Sequence, residues 1–149
     1  MPMSNRIDVL HGVNLDQLER RSAEVYGGGG LRELEVTVGH YAGELGLQAT
    51  FWQTNHEGEY CESLHLAHER ADGLILNPGA WTHYSYAIRD ALEVSGLPAV
   101  EVHISDVMNR DDWRAKSVIR DLCIGTVAGK GVAGYRDALE LLKAEFEGK

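Results

Sequence analysis

Cysteine is scarce in this chain: Cys61 and Cys123 stand alone, without CxxC spacing. That excludes a disulfide framework and a cysteine-ligated zinc site, and points to two free thiols in a reducing cytoplasm. No apolar run reaches the length of a membrane span, and no basic-then-apolar leader opens the chain. Neither a membrane nor an export route is expected. Positive charge is short: 14 Lys and Arg against 23 Asp and Glu give a net charge of −9. Such a surface attracts neither nucleic acid nor an anionic membrane. The phosphate-binding loops are missing too. No G-x-x-x-x-G-K-[ST] occurs, and the glycine run 27–30 lies far downstream of the first strand, where a dinucleotide fingerprint has no use for it. No G-x-S-x-G offers a nucleophilic serine. The first strand ends in His11-Gly12-Val13-Asn14 rather than in the acidic residues of a phosphoacceptor. The seven histidines are scattered, the nearest pair being His65 and His68 on a solvated helix face, so neither metal nor cofactor is expected. Internal repeats and low-complexity segments are absent.

What is present is enough for one domain over 1–149, with 44% hydrophobic residues to build its core. Apolar patterning predicts strands over Arg6–Leu10, Leu47–Thr54, Gly73–Leu76, the stretch after Pro98, and Leu122–Val127. Helical spacing predicts helices over Leu31–Leu45, Cys61–Arg70, Ser85–Val94 and Gly131–Phe146, with a short turn over Arg110–Arg114. A polar stretch of about 15–30 separates the first strand from the first helix and is expected to be a mobile lid. Strands alternating with helices imply α/β architecture with a parallel sheet covered on both faces. Five strands at this length suggest a flavodoxin-like three-layer sandwich of order 2-1-3-4-5, with ligands at the carboxyl ends of the strands. His11–Asn14, Asn55–Glu57, Asn77–His83 and His103–Asp106 all fall there.

The most informative stretch is Leu97-Pro98-Ala99-Val100-Glu101-Val102-His103-Ile104-Ser105-Asp106. A run of β-branched residues reads as a buried strand, yet it carries Glu101 and His103 two apart, on one face. A buried carboxylate needs a partner, and an imidazole beside it becomes an oriented general acid or base. Taken alone, this stretch favours a plain buried ion pair, or a core histidine bonded to backbone.

Five ordered blocks carry a wider pattern. They are Asn14-Leu15 with Arg21 and Tyr26-Gly27; Gln53-Thr54-Asn55-His56-Glu57-Gly58-Glu59; Asn77-Pro78-Gly79-Ala80 with Thr82-His83; Ala87-Ile88-Arg89-Asp90-Ala91; and Glu101-Val102-His103-Ile104-Ser105 with Arg110 and Arg114. Together they resemble the type II 3-dehydroquinate dehydratases over nearly the whole chain. The resemblance implies a cytoplasmic, cofactor-free hydro-lyase that takes 3-dehydroquinate to 3-dehydroshikimate through an enolate, by anti elimination, without a Schiff base. It implies a place in the shikimate pathway of aromatic amino-acid biosynthesis or in quinate catabolism. It also implies a homo-oligomer of trimers assembled into a dodecamer.

Residue by residue, the resemblance makes Tyr26 the base, its ionisation favoured by Arg21 and Arg114. Asn14 becomes the donor to the enolate oxygen, and His103, held by Glu101, the acid that turns the departing hydroxide into water. Ile104 and Ser105 would meet the substrate carboxylate, and Asn77, His83 and Arg114 its ring hydroxyls. Asp90 would reach a neighbouring subunit's site and balance the charge of Arg110 and Arg114.

The chain also departs from that family. The usual Asn-Gly-Pro-Asn is His11-Gly12-Val13-Asn14, and Glu19 and Ala23 stand where Gly and Pro flank the lid arginine. The usual His-His-Ser-Tyr-x-Ser-Pro is Ala115-Lys116-Ser117-Val118-Ile119-Arg120-Asp121. His11 is expected to bring a group titrating near neutral pH close to the enolate site. These departures leave room for a member retuned to a related cyclic hydroxy-ketone acid, or for a weakly catalytic binding or assembly protein on the same scaffold.

Overall fold

Strands of a parallel sheet are covered by helices on both faces, so they are short and apolar throughout rather than alternating. The computed structural model, which describes residues 4–21, 23 and 29–148, shows this pattern in the central strands, while the edge strand over Gln48–Gln53 alternates exposed and half-buried residues. Strands β1 (Arg6–His11), β2 (Gln48–Gln53), β3 (Gly73–Asn77), β4 (Ala99–His103) and β5 (Gly125–Ala128) form one sheet of order β2-β1-β3-β4-β5. Every pairing is parallel, as the sequence predicts. The helices are α1 (Leu31–Glu44), α2 (Glu57–Leu66), α3 (Tyr86–Ser95), the single turn α4 (Asp112–Ala115) and α5 (Gly134–Phe146).

The two faces of the sheet sort the side chains with period two. Ile7, Val9, Ile75, Val100 and Val102 pack with Val38 of α1 and Leu139 and Leu142 of α5. Leu10, Leu74, Leu76 and Ala99 pack on the other face with Tyr60 and Leu64 of α2 and Ile88 and Leu92 of α3. By the same parity Glu101 and His103 point to the α2–α3 face. Asn77 follows Ile75 toward the α1–α5 face.

Several boundaries move from their sequence expectation, each for a local reason. Helix α2 begins at Glu57, four residues before the expected Cys61. Glu57 and Glu59 occupy its first turn, where acidic side chains complement the helix dipole. Beyond Leu66 the expected helix tightens into a 3-10 turn over Ala67–Glu69. Strand β5 is shorter than expected because Arg120–Leu122 forms a 3-10 turn ahead of it. The last helix is preceded by another such turn over Gly131–Ala133. Helix α3 runs between a Ser85 cap, whose Oγ accepts the Ile88 N–H at 3.1 Å, and left-handed Gly96. Within the expected lid, Leu15–Arg20 is a 3-10 segment that buries Leu15 and Leu18. No helix among the described residues is long and apolar enough to cross a membrane.

Candidate active site

The carboxyl ends of β1, β3 and β4 open onto one pocket of about 120 Å3. Its wall on the β1 side is fixed by backbone contact. The Gly12 N–H donates to the Asn77 carbonyl at 2.8 Å. A β-carbon at Gly12 would lie 2.1 Å from the Pro78 carbonyl oxygen, so only glycine lets the two loops close. From this junction Asn14 projects with φ of 68°, a left-handed conformation that asparagine tolerates better than other L residues. Its backbone N–H donates to Asn55 Oδ1 at 2.8 Å, and the Asn55 amide donates on to Asp16 at 3.2 Å. Gln53 Nε2 donates to the Gly12 carbonyl at 3.2 Å. The β2 loop thus braces the loop that carries Asn14.

At the end of β4, His103 Nε2 donates to Glu101 Oε2 at 2.6 Å, with Glu101 fully buried and His103 4% exposed. Burial pushes the Glu101 carboxyl up. Donation from His103 and its charge, donation from Ser117 and the charge of Arg120 outweigh burial and hold it below the ordinary carboxylate value. An ionised Glu101 can only accept, which commits Nε2 to donate and leaves Nδ1 as the imidazole nitrogen available for pocket chemistry. The strand parity read from the sequence, with both side chains on one face, is what makes this pair.

His83 sits beside His103 with ring centroids 6.3 Å apart. Its Nδ1 donates to the Lys116 carbonyl at 2.6 Å. Burial pushes this imidazole below its ordinary value despite that bond, and His103 and Arg114 add to the push. A neutral His83 whose Nδ1 donates presents Nε2 as an acceptor, suited to a substrate hydroxyl.

Positive charge gathers here although the chain is acidic overall. Arg21, Arg110 and Arg114 all line the pocket, together with Asn14, Asn77, Ile104 and Ser105. Arg110 Nη1 donates to Ser105 Oγ at 3.2 Å. Arg114 pairs with Asp111, and its guanidinium lies 4.1 Å from the Trp113 ring centroid, a cation–π contact that fixes its direction. Such a concentration of guanidinium groups suits a small anion.

Of the residues singled out in the sequence, the structure brings Asn14, Arg21, Asn77, His83, His103, Ile104, Ser105, Arg110 and Arg114 to this pocket, with Glu101 directly behind His103. Tyr26 lies outside the described residues. Asp90 is exposed on α3 and does not line its own chain's pocket. The expectation for His11 is corrected. Its side chain is fully buried and turned to the α1–α5 face, between Phe51 and Tyr135 at centroid distances of 6.2 and 6.4 Å. Its Nε2 is 3.6 Å from Glu35, yet burial drives the imidazole down to about 4, so it is neutral at neutral pH. Strand β1 continues through position 11, and period two sends this side chain into the α1–α5 layer, where it does not line the pocket.

Sequence reasoning missed Ser117 and Arg120, which donate to Glu101 Oε1 and Oε2 at 2.8 and 3.2 Å. A serine retained inside the altered stretch 115–121 was the available signal for Ser117. Nothing local signalled Arg120. Among the described residues no group of His, Cys, Asp and Glu is arranged to hold a metal ion.

Comparison with known proteins bears on this geometry. The family model for class II dehydroquinase matches residues 5–143. A 3-dehydroquinate dehydratase of Pelotomaculum thermopropionicum is 46% identical over 139 residues, covering 93% of this chain and 96% of that protein. One of Bacillus pumilus is 45% identical over 137 residues, covering 92% and 93%. Among solved structures, the type II dehydroquinase of Butyrivibrio crossotus superposes with a TM-score of 0.89 at 38% identity, covering 93% of this chain and 97% of that one.

Proposed function

The chain belongs to the class II dehydroquinase family, and from that premise we propose how its pocket works. It is a 3-dehydroquinate dehydratase, a hydro-lyase that removes water from 3-dehydroquinate. The observation that carries the mechanism is the Glu101–His103 pair opening onto a pocket edged by three arginines.

Substrate enters as an anion. Backbone N–H groups at Ile104 and Ser105 and the Ser105 hydroxyl receive its carboxylate. Asn77, His83 Nε2 and Arg114 hold the ring hydroxyls. Tyr26, ionised beside Arg21 and Arg114, takes the proton next to the ketone. Charge then moves to the ketone oxygen, where the Asn14 amide donates, directly or through one water. Collapse of the enolate expels the hydroxyl group, and His103 delivers its Nδ1 proton so that water leaves. Glu101 stabilises the imidazolium beforehand and fixes its orientation throughout.

No amine takes part in this route. Among the described lysines none lines the pocket: Lys116 is exposed with Nζ 6.0 Å from the Tyr86 ring, Lys130 pairs with Asp137 at 2.5 Å, and Lys143 lies on α5. Borohydride added during turnover is expected to leave activity and intact mass unchanged. A mass increase matching a reduced substrate adduct would overturn the enolate route.

The assembly we propose is of trimers packed into a dodecamer, in the cytoplasm, where Cys61 and Cys123 remain free thiols. The exposed face of α3 supports it, since Tyr86, at 59% exposure, and Asp90 share a surface that one chain leaves uncovered. Asp90 there would complete the charge balance of a neighbouring pocket. Light scattering is expected to give a mass many times the 16.4 kDa of one chain, and a fully active monomer would contradict this.

A further inference from the structure

We propose that Arg120 is a positioning residue of this site, the fixed positive charge that keeps Glu101 ionised and aimed at His103 through the catalytic cycle. The inference rests on reading Glu101–His103 as the acid pair and goes beyond it to a residue outside that pair.

Glu101 is fully buried and receives three donors. His103 Nε2 and Arg120 Nη2 share Oε2 at 2.6 and 3.2 Å, while Ser117 Oγ donates to Oε1 at 2.8 Å. These donors are not equivalent. Ser117 is neutral. His103 carries positive charge only until it gives its proton to the leaving hydroxyl, after which a neutral imidazole faces a buried carboxylate. Burial alone favours protonated Glu101 at that moment. A proton captured there would turn the carboxyl away from Nε2 or occupy the oxygen His103 needs. A guanidinium keeps its charge at every pH of interest, so of the three donors Arg120 is the one whose positive charge outlasts the transfer.

The local structure is built to hold Arg120 inward. Ser117 Oγ accepts the Arg120 backbone N–H at 3.1 Å, so the residue that grips Oε1 also sets the start of the turn bearing the guanidinium. Arg120 Nη1 donates to the Ala115 carbonyl at 3.3 Å and lies 3.7 Å from Met108 Sδ. The neighbouring Asp121 is clasped instead by Nη1 and Nη2 of Arg89 at 2.5 and 2.9 Å. Buried Arg120 Nε has no partner among the described residues, which leaves Glu101 as its charged anchor. The other ionisable groups facing this pair do not substitute. His83 is pushed toward neutrality by its burial. Arg114 is engaged by Asp111 and Trp113. The Cys123 thiol, raised to about 12 by burial and then by the Glu101 charge, stays neutral. The resembled family places a serine at this point of its His-His-Ser-Tyr-x-Ser-Pro stretch, and serine brings no charge.

The test compares the full-length parent with Arg120→Ser and Arg120→Lys, each checked for folding by circular dichroism, with Arg120→Met in reserve should serine prevent folding. Carbon-13 NMR of the glutamate carboxyls, with the Glu101 signal assigned by its loss in Glu101→Gln, reports ionisation without any need for turnover. Removing the charge is expected to move the Glu101 titration, and with it the acid limb of kcat/KM, to higher pH by about one unit. Arg120→Lys should remain close to the parent. A Glu101 titration at the same pH in parent and serine variant overturns the proposal. A moved titration with an unmoved rate profile overturns its catalytic half. Failure of the underlying acid-pair reading looks different, since His103→Ala would then retain turnover.

Discussion

Replacing His103 with alanine is expected to lower kcat for 3-dehydroquinate by at least about two orders of magnitude, the usual size of a lost general acid. The loss should fall on kcat more than on KM, because the proton moves only as the hydroxyl leaves. Structure also predicts that this variant folds. Removing one partner of a buried ion pair is normally costly, since a bare charge remains. Glu101 here keeps Ser117 and Arg120 at 2.8 and 3.2 Å, so it is never left without compensation. Low turnover with an unchanged circular dichroism spectrum is therefore the expected combination. Near-parental turnover would remove His103 from the mechanism, and the three-donor arrangement around Glu101 would then be structural only.

Tyr26→Phe is the second large effect, again about two orders of magnitude or more in kcat. A proton beside a ketone is only weakly acidic, so its removal needs a strong base, and phenolate is a stronger one than any carboxylate or imidazole here. Phenolate forms near neutral pH only beside positive charge. Arg21 and Arg114 both line the pocket, and the proposed mechanism assigns that charge to them. Phenylalanine keeps the ring and loses only the oxygen, so substrate binding should change little. Solvent-deuterium exchange into substrate should fall in parallel with turnover. Parental rates in this variant would require another base, and His83, held neutral with Nε2 facing inward, would be the group to examine.

The fold was legible in the sequence to the level of strand order. Short apolar runs at Ile7–Leu10, Leu74–Leu76 and Ala99–Val102 separated by helical spacing leave few parallel arrangements, and period two placed Glu101 and His103 together. Boundaries were less legible where acidic helix starts and 3-10 turns intervene, as at Glu57 and Arg120–Leu122. His11 shows a different limit. Its expected nearness to the enolate site came from position in the loop, whereas the strand runs one residue further than expected and turns the side chain inward. Extending the parity of Ile7 and Val9 by two residues would have given the right face. The dependence of Asn14 on Asn55, and of Glu101 on Arg120, crosses 41 and 19 positions of sequence respectively. Such long-range hydrogen bonds leave no periodic trace, and only the folded sheet brings those loops together.

The central claim is that this pocket performs the dehydration itself. The direct measurement mixes purified protein with 3-dehydroquinate and follows the ultraviolet absorbance of the product, whose new carbon–carbon double bond is conjugated to the carboxylate. Catalysis predicts a rise proportional to protein concentration, reduced at least about a hundredfold by His103→Ala. A flat trace with folded protein and intact substrate would contradict the account.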